Sequence, residues 1–216
     1  DLNQISDCQL VIECIVEQLE TKKQLYQSLL PYISGNAMLV SNTSTLPLEE
    51  LVNGLPSSVA QRFAITHFFN PPRYMPLLEL VTSSNTDASC VSVLKSFCDE
   101  QLGKVVIEAF DTPGFIANRI GCFWLELGLR AAVKHSIRPE EADYLLSKVF
   151  KLPKTGILGL WDLIGLDVMN LISKSISARL KNSDDYVQMQ SDHSITDNLI
   201  RTNRLGRKTK AGFYQQ

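Results

Sequence analysis

Short apolar runs alternate with helix-period segments through the first half of the chain, and long helix-period segments fill the second half. Residues 9–16, Gln-Leu-Val-Ile-Glu-Cys-Ile-Val, form a β-branched apolar run of the kind a buried parallel strand shows. From Glu20 to Tyr32 the period lengthens, with Leu25, Leu29 and Ile33 at four-residue steps on one helix face. Gly35-Asn36 breaks that helix, and Ala37 to Val40 resumes as a strand ending in Ser41-Asn42-Thr43-Ser44. Pro47 opens a short helix through Leu51 to Leu55, stopped by Gly54 and Pro56. Further strands are expected at Phe63–Phe68, Leu77–Val81 and Val105–Ile107. Before the last of these, Asp87 is placed to N-cap a helix carrying Val91, Leu94, Phe97 and Leu102, which Gly103 ends. Such alternation predicts an α/β sheet with parallel strands dominating.

The pattern changes at Asp111-Thr112-Pro113-Gly114. Beyond it, 3.6-residue periodicity covers Phe115 to His135, Pro139 to Phe150, and Leu160 to about Leu180. Pro139 followed by Glu140 and Glu141 makes a good first helical turn, by fixed φ and by charge against the helix dipole. The expected organisation is α/β then all-α, with domains at 1–110 and 111–216. Residues 182–194 are the best candidate for a mobile loop.

Composition narrows the function classes. Apolar residues make up 44% and charged residues 20% of the 216, the balance of a globular chain with a core. A formal net charge of -2 argues against nucleic acid as the main partner. No apolar run approaches a membrane span, and no secretory leader opens the chain. The opening at Asp1-Leu2-Asn3, without methionine, suggests a fragment, so location is not read from signals. Five cysteines without C-x-x-C spacing point to free thiols in a reducing compartment and away from structural zinc; no metal site is expected. Of the eleven glycines, no two are separated by a single residue, so there is no G-x-G-x-x-G. A nucleotide site would therefore lack its usual anion-binding turn within this chain.

Several polar residues interrupt this pattern where chemistry could sit. His67 lies at the end of an apolar strand, where ligands bind in open α/β sheets. Glu79 follows twelve residues later inside another apolar strand, where an unpaired carboxylate is costly. A glutamate within reach of the imidazole would fix its tautomer and stabilise its protonated form, as a general base requires. The alternative is a core histidine bonded to backbone, with Glu79 facing solvent on an edge strand. Ser41 to Ser44 offer short hydrogen-bonding side chains after a strand, or simply cap the next helix. Asn118, early in the first long helix of the second half, reads alone as a surface amide. Serine nucleophile chemistry lacks a G-x-S-x-G elbow. His135 and His193 read as surface residues, and Arg204, Arg207, Lys208 and Lys210 as a solvated basic segment.

Taken together the blocks VIECIVEQLETKK (11–23), VSNTSTLPLEEL (40–51), HFFNPP (67–72), LLELV (77–81), DTPGFIANRI (111–120), LWDLIGLDV (160–168) and GRKTKAGFY (206–214) resemble the L-3-hydroxyacyl-CoA dehydrogenase family. The resemblance implies an incomplete Rossmann-type NAD-binding sheet followed by a helical dimerisation domain. It implies NAD-linked oxidation of the 3-hydroxyl of an acyl-CoA to a ketone, in fatty-acid β-oxidation. By position, His67 would be the general base, Glu79 its orienting partner, Asn118 a holder of the substrate oxygen, and Ser44 a hydrogen-bonding group near substrate and nicotinamide. On the cofactor side it points to Glu17, Lys22, Asn42, Ser44, Asn70 and Lys208. The implied partners are an acyl-CoA substrate, a second copy of the chain through the helical domain, and a fused or associated enoyl-CoA hydratase. A bacterial cytoplasm is the favoured setting, with the mitochondrial matrix or peroxisome as others.

The family's glycine-rich first turn and its acidic residue for the adenosine ribose have no counterpart here. Pro76 stands where many members carry a lysine or arginine, and Lys151 to Gly156 replace a commoner proline-methionine-glycine-proline stretch. These variants look closest to long bacterial fatty-oxidation proteins. Two other readings stay open: the same fold acting on a sugar acid or on short-chain hydroxybutyryl-CoA, and a non-catalytic assembly fragment unable to hold NAD.

Overall fold

The structure is a computed structural model describing residues 2–151, 153–189 and 194–215. The chain folds as two compact units, Asp1–Ile116 and Ala117–Gln216.

The first unit is built on a five-stranded sheet, β1 (Leu10–Glu13), β2 (Met38–Ser41), β3 (Phe63–Phe68), β4 (Leu77–Val81) and β5 (Val105–Ala109), in that spatial order. β1, β2 and β3 run parallel, β4 runs antiparallel to β3, and β5 is parallel to β4. The reversal has a simple cause. Residues 69–76 are too few for a crossover, which needs a dozen or more, so β4 must return beside β3.

Side chains alternate across the sheet, which decides what each face holds. On one face Leu39, Phe63, Ile65 and Val81 pack with Tyr26 and Leu29 of α1 (Leu19–Leu29), Leu48 and Leu51 of α2 (Leu48–Val52), Val59 of α3 (Ser57–Ala60) and Phe115. On the other, Val40, Ala64, Leu78 and Leu80 pack with Leu94 of α4 (Ala88–Ser96) and Cys98. By the same alternation Glu13, Ser41, His67 and Glu79 all project from the first face.

Two local expectations need correction. The strand expected over 9–16 is confined to Leu10–Glu13, because the Ile15 N–H turns to donate to the Glu13 carboxylate at 2.6 Å instead of continuing outward. Asp87 holds the N-cap position of α4 without a side-chain cap bond, while its own N–H donates to Gln61 O.

The second unit contains helices α5 (Ala117–Lys134), α6 (Pro139–Val149), α7 (Leu158–Ile164), α8 (Leu166–Ser177), α9 (Asp185–Gln188) and α10 (Ser194–Arg201), followed by a 3-10 turn at Arg207–Thr209. Its core gathers Leu125, Leu129, Trp161, Leu166, Met169, Ile176 and Tyr186. The single helix expected over 160–180 is two, because Gly165 at φ 105° stops α7 and starts α8 on a new axis. Within the candidate loop 182–194, Asp184 caps the short α9 by accepting from Tyr186 N–H at 2.9 Å; His193 lies outside the described residues. Asp143 of α6 caps α7, accepting from Leu158 N and Gly159 N at 2.8 Å each and from Tyr214 Oη at 2.7 Å. All five cysteines are free thiols, as composition suggested, and no helix among the described residues is long and apolar enough to cross a membrane.

Candidate active site

The carboxyl ends of β1, β2 and β3 share one edge of the sheet, and the polar residues of the first unit collect there. His67 is the penultimate residue of β3 and lies opposite Glu79 in the antiparallel register with β4. His67 Nδ1 and Glu79 Oε2 are 2.7 Å apart, with the two residues only 6% and 1% exposed. The glutamate therefore faces inward onto the imidazole, and the edge-strand alternative does not hold. With Nδ1 committed to the carboxylate, Nε2 carries the lone pair.

Glu79 Oε1 accepts from Ile116 N–H at 2.9 Å. The Asp-Thr-Pro-Gly-Phe segment makes this bond by a sharp reversal, in which Gly114 (φ 76°) and Phe115 (φ 49°) are both left-handed. Such a φ is strained for phenylalanine, and the turn is held by Phe115 N–H donating to Thr112 O and by burial of the ring. The Phe115 and Phe69 rings lie 5.7 and 4.6 Å from the imidazole, centroid to centroid, walling the dyad with apolar surface.

After β2, the loop 42–46 is held largely by side chains. Asn42 Oδ1 accepts from Phe68 N–H at 2.9 Å, tying the ends of β2 and β3 together. Glu17 Oε1 accepts from Thr43 Oγ1 (2.6 Å), Ser44 N (2.9 Å), Thr45 N (3.1 Å) and Thr45 Oγ1 (3.2 Å). Burial works against the charged Glu17, but these bonds and the Lys22 ammonium outweigh it and hold its pKa below the usual carboxylate value. Lys22 is buried, with Nζ 2.7 Å from Glu13 Oε1 and 3.5 Å from Glu17 Oε2. Ser44 is half-buried beside Glu17, and Asn70 is exposed on the loop that leaves β3.

Asn118 is the second residue of α5, in the second unit. Lys208, also in that unit, pairs with both oxygens of Asp167 at 2.6 Å. The neighbouring Arg204, read from sequence as solvated, is half-buried and donates to Gly212 O at 2.7 Å. His135 is exposed.

Sequence reasoning missed three residues of this edge. Glu13 is buried beneath the loop as the partner of Lys22, and the signal was a carboxylate closing an otherwise apolar strand. Asp111 accepts from Leu48 N and Glu49 N at 3.0 and 3.3 Å, capping α2; no local pattern links positions 63 residues apart. Lys104 is buried, donates to Pro72 O and, at 2.9 Å, to Met75 O, and so ties down the loop after His67.

A nicotinamide cofactor fits this edge in part. Asn42, Ser44 and Asn70 present polar groups at the carboxyl ends of parallel strands, where dinucleotides lie. None of the loops at this edge supplies a glycine-rich turn for the phosphates. Among the described residues no group of three or more His, Cys, Asp or Glu could hold a metal ion. The apolar hollow of about 550 Å³ on α6, lined by Ile137, Glu140, Glu141, Tyr144 and Leu145, has no imidazole or amide to direct chemistry.

Comparison with known proteins places the chain in a family. The family model described as "3-hydroxyacyl-CoA dehydrogenase, NAD binding domain" matches residues 1–112, and that described as "3-hydroxyacyl-CoA dehydrogenase, C-terminal domain" matches residues 114–216. The "Putative fatty acid oxidation complex trifunctional enzyme" of Rickettsia prowazekii is 47% identical over 215 residues, covering 100% of this chain and 30% of that protein. A 3-hydroxybutyryl-CoA dehydrogenase of Mycobacterium tuberculosis is 31% identical, covering 99% of this chain and 72% of the relative. The crystal structure of M. tuberculosis FadB2 superposes with a TM-score of 0.90 at 30% identity, covering 100% of this chain and 73% of that one. The chain thus spans less than a third of the length of its Rickettsia relative.

Proposed function

The chain belongs to the 3-hydroxyacyl-CoA dehydrogenase family, and from that premise we propose that the polypeptide carrying it oxidises L-3-hydroxyacyl-CoA to 3-oxoacyl-CoA with NAD, in fatty-acid β-oxidation. The observation that carries the reading is the buried His67–Glu79 pair at the carboxyl edge of the parallel strands.

In the forward direction His67 Nε2 takes the proton of the substrate 3-hydroxyl. The imidazolium so formed keeps its Nδ1 proton and donates it to Glu79 Oε2, whose negative charge stabilises it in a site with little competing water. The cofactor supplies a hydride acceptor at the carbon bearing that hydroxyl. Phe69 and Phe115 exclude solvent from the imidazole, so the proton passes between His67 and substrate. Ser44 is assigned to the substrate oxygen and nicotinamide, with Asn42 and Asn70 beside the cofactor. The family resemblance adds Asn118 as a holder of the substrate oxygen and Lys208 as a cofactor residue. Glu17 and Lys22, to which the resemblance points as cofactor residues, are proposed to act indirectly, Glu17 through the loop that bears Ser44 and Lys22 through Glu17.

A short acyl chain is the second reading, favoured by the 3-hydroxybutyryl-CoA dehydrogenase that this chain matches over 72% of its length. The proposed partners are an acyl-CoA, a second copy of the protein, and an enoyl-CoA hydratase. The last rests on the family resemblance, with a Rickettsia relative named as a trifunctional enzyme of a fatty acid oxidation complex beside it, and a bacterial cytoplasm is the proposed setting. The test is NADH consumption by the longest natural polypeptide that contains this chain, with 3-oxoacyl-CoAs of increasing length and with free 3-oxoacids. Turnover of the thioesters is expected. Turnover of the free acids alone would overturn the substrate assignment, and a maximum at four carbons would select the short-chain reading.

A further inference from the structure

Glu13 closes β1 only 3% exposed, and four donors converge on its carboxylate. Oε1 accepts from Lys22 Nζ at 2.7 Å and Ile15 N at 2.6 Å, and Oε2 from Tyr26 Oη at 2.8 Å and Ser41 Oγ at 2.7 Å. Ser41 Oγ in turn accepts from Thr43 N–H at 3.2 Å. Lys22 stands between two carboxylates, 2.7 Å from Glu13 and 3.5 Å from Glu17. Glu17 spends Oε1 on the loop, taking the N–H groups of Ser44 and Thr45, while Leu46 N–H donates to Thr43 Oγ1 at 3.0 Å. The amides of residues 43–46 are therefore held by side chains, and those side chains lead back to Glu13 by two routes. One is neutral, through Ser41. The other is electrostatic, through the competition of two carboxylates for one ammonium.

From this geometry we infer that Glu13 is a positioning residue for the loop bearing Ser44: by holding the Lys22 ammonium in the interior it leaves Glu17 free to order residues 43–45 at the cofactor edge. Glu13 touches neither substrate nor cofactor in this scheme, and Lys22 is a strut of the edge. The inference rests on the dehydrogenase reading only for what the loop contacts; the loop mechanism stands apart from it.

Coulomb attraction between unit charges grows steeply once water is excluded, so Lys22 cannot stay without a carboxylate partner. In Glu13→Gln the side chain keeps its shape and can still bond Tyr26 and Ser41, but the ammonium turns to Glu17 and draws that carboxylate off the loop. Removing the ammonium as well, in Glu13→Gln/Lys22→Met, releases Glu17 back to the loop. A purely structural role predicts the opposite order, with the double variant the more disturbed.

The experiment is residue-resolved amide hydrogen exchange on the 216-residue chain, which needs no cofactor. In Glu13→Gln, exchange at Ser44 and Thr45 is expected to speed up by about tenfold or more, while the Leu39 amide in the β2–β3 ladder stays as protected as before. The double variant is expected to recover most of that protection. Unchanged Ser44 and Thr45 exchange in the single variant, or a double variant more exposed than the single, would overturn the inference. Should Glu13→Gln fail to fold, Ser41→Ala tests the neutral route. Faster exchange at Thr43, with Ser44 and Thr45 unchanged, is expected there, and an unaltered Thr43 contradicts it. In the longest natural polypeptide containing the chain, Glu13→Gln is expected to raise KM for NADH about tenfold, with kcat within about threefold of wild type. Absence of any NADH turnover in the unsubstituted protein would count against the dehydrogenase reading and leave the exchange result to judge the loop mechanism.

Discussion

His67 is buried with its Nδ1 2.7 Å from Glu79 Oε2, and the role of base is proposed for it from that arrangement. The pairing was readable as a possibility from the polar interruptions in two apolar strands. What the sequence could not supply was the register: His67 faces Glu79 because β4 turns back antiparallel, and a parallel β4 would have carried the carboxylate elsewhere. Glu17 shows the reverse case. It stood out only through the family resemblance, and its partners at 43–45 lie more than twenty-five positions away. Because its folded pKa lies below the ordinary value, the stability it lends is fully present above that value and disappears as pH falls through the folded one. A carbon-detected NMR titration is expected to place the Glu17 midpoint below the glutamate reference of about 4.3. A midpoint at or above that reference would mean that desolvation dominates and that the loop bonds are weak.

At the scale of elements, strands and long helices followed from periodicity, while their ends followed from tertiary bonds that periodicity does not encode. β3 and β4 have the expected bounds because their apolar alternation is buried on both faces. β1 stops early because a backbone N–H finds a carboxylate, and the helix over 160–180 divides because Gly165 is left-handed. The antiparallel return of β4 was not read from the sequence, although the eight residues between Phe68 and Leu77 are too few for a crossover. In the helical unit, Asp143 is the clearest element-scale device. It caps α7 with two amide bonds and binds Tyr214 Oη, while Gly156 (φ 69°) passes so close that an added Cβ would lie 2.2 Å from the Asp143 Cγ. Asp143→Ala is expected to lower stability by about 2–4 kcal/mol, since buried donors lose a charged acceptor. Urea denaturation of the 216-residue chain checks this, and a loss under about 0.5 kcal/mol would show the cap to be dispensable.

At the scale of the whole molecule, the absence of G-x-G-x-x-G from these 216 residues separates recognition of the nicotinamide end from recognition of the phosphates. The residues at the sheet edge are proposed to hold the first; the loops described here offer no glycine-rich turn to cradle the second at a helix N-terminus. The isolated chain is therefore expected to bind NADH at least about tenfold more weakly than the longest natural polypeptide containing it, one lost charge-assisted bond being enough for that factor. Calorimetry decides the point, and equal affinity would mean that the phosphates are held by residues in this chain.

His67 is proposed to move the substrate proton. The direct measurement is kcat for NADH-dependent reduction of acetoacetyl-CoA by the longest natural polypeptide containing this chain, unsubstituted and as His67→Gln. Loss of general acid–base catalysis predicts a fall in kcat of about 10²–10⁴-fold, with an unchanged unfolding midpoint. A His67→Gln protein that turns over within threefold or so of the original would contradict the account, because no placement of Glu79 can then make His67 the base.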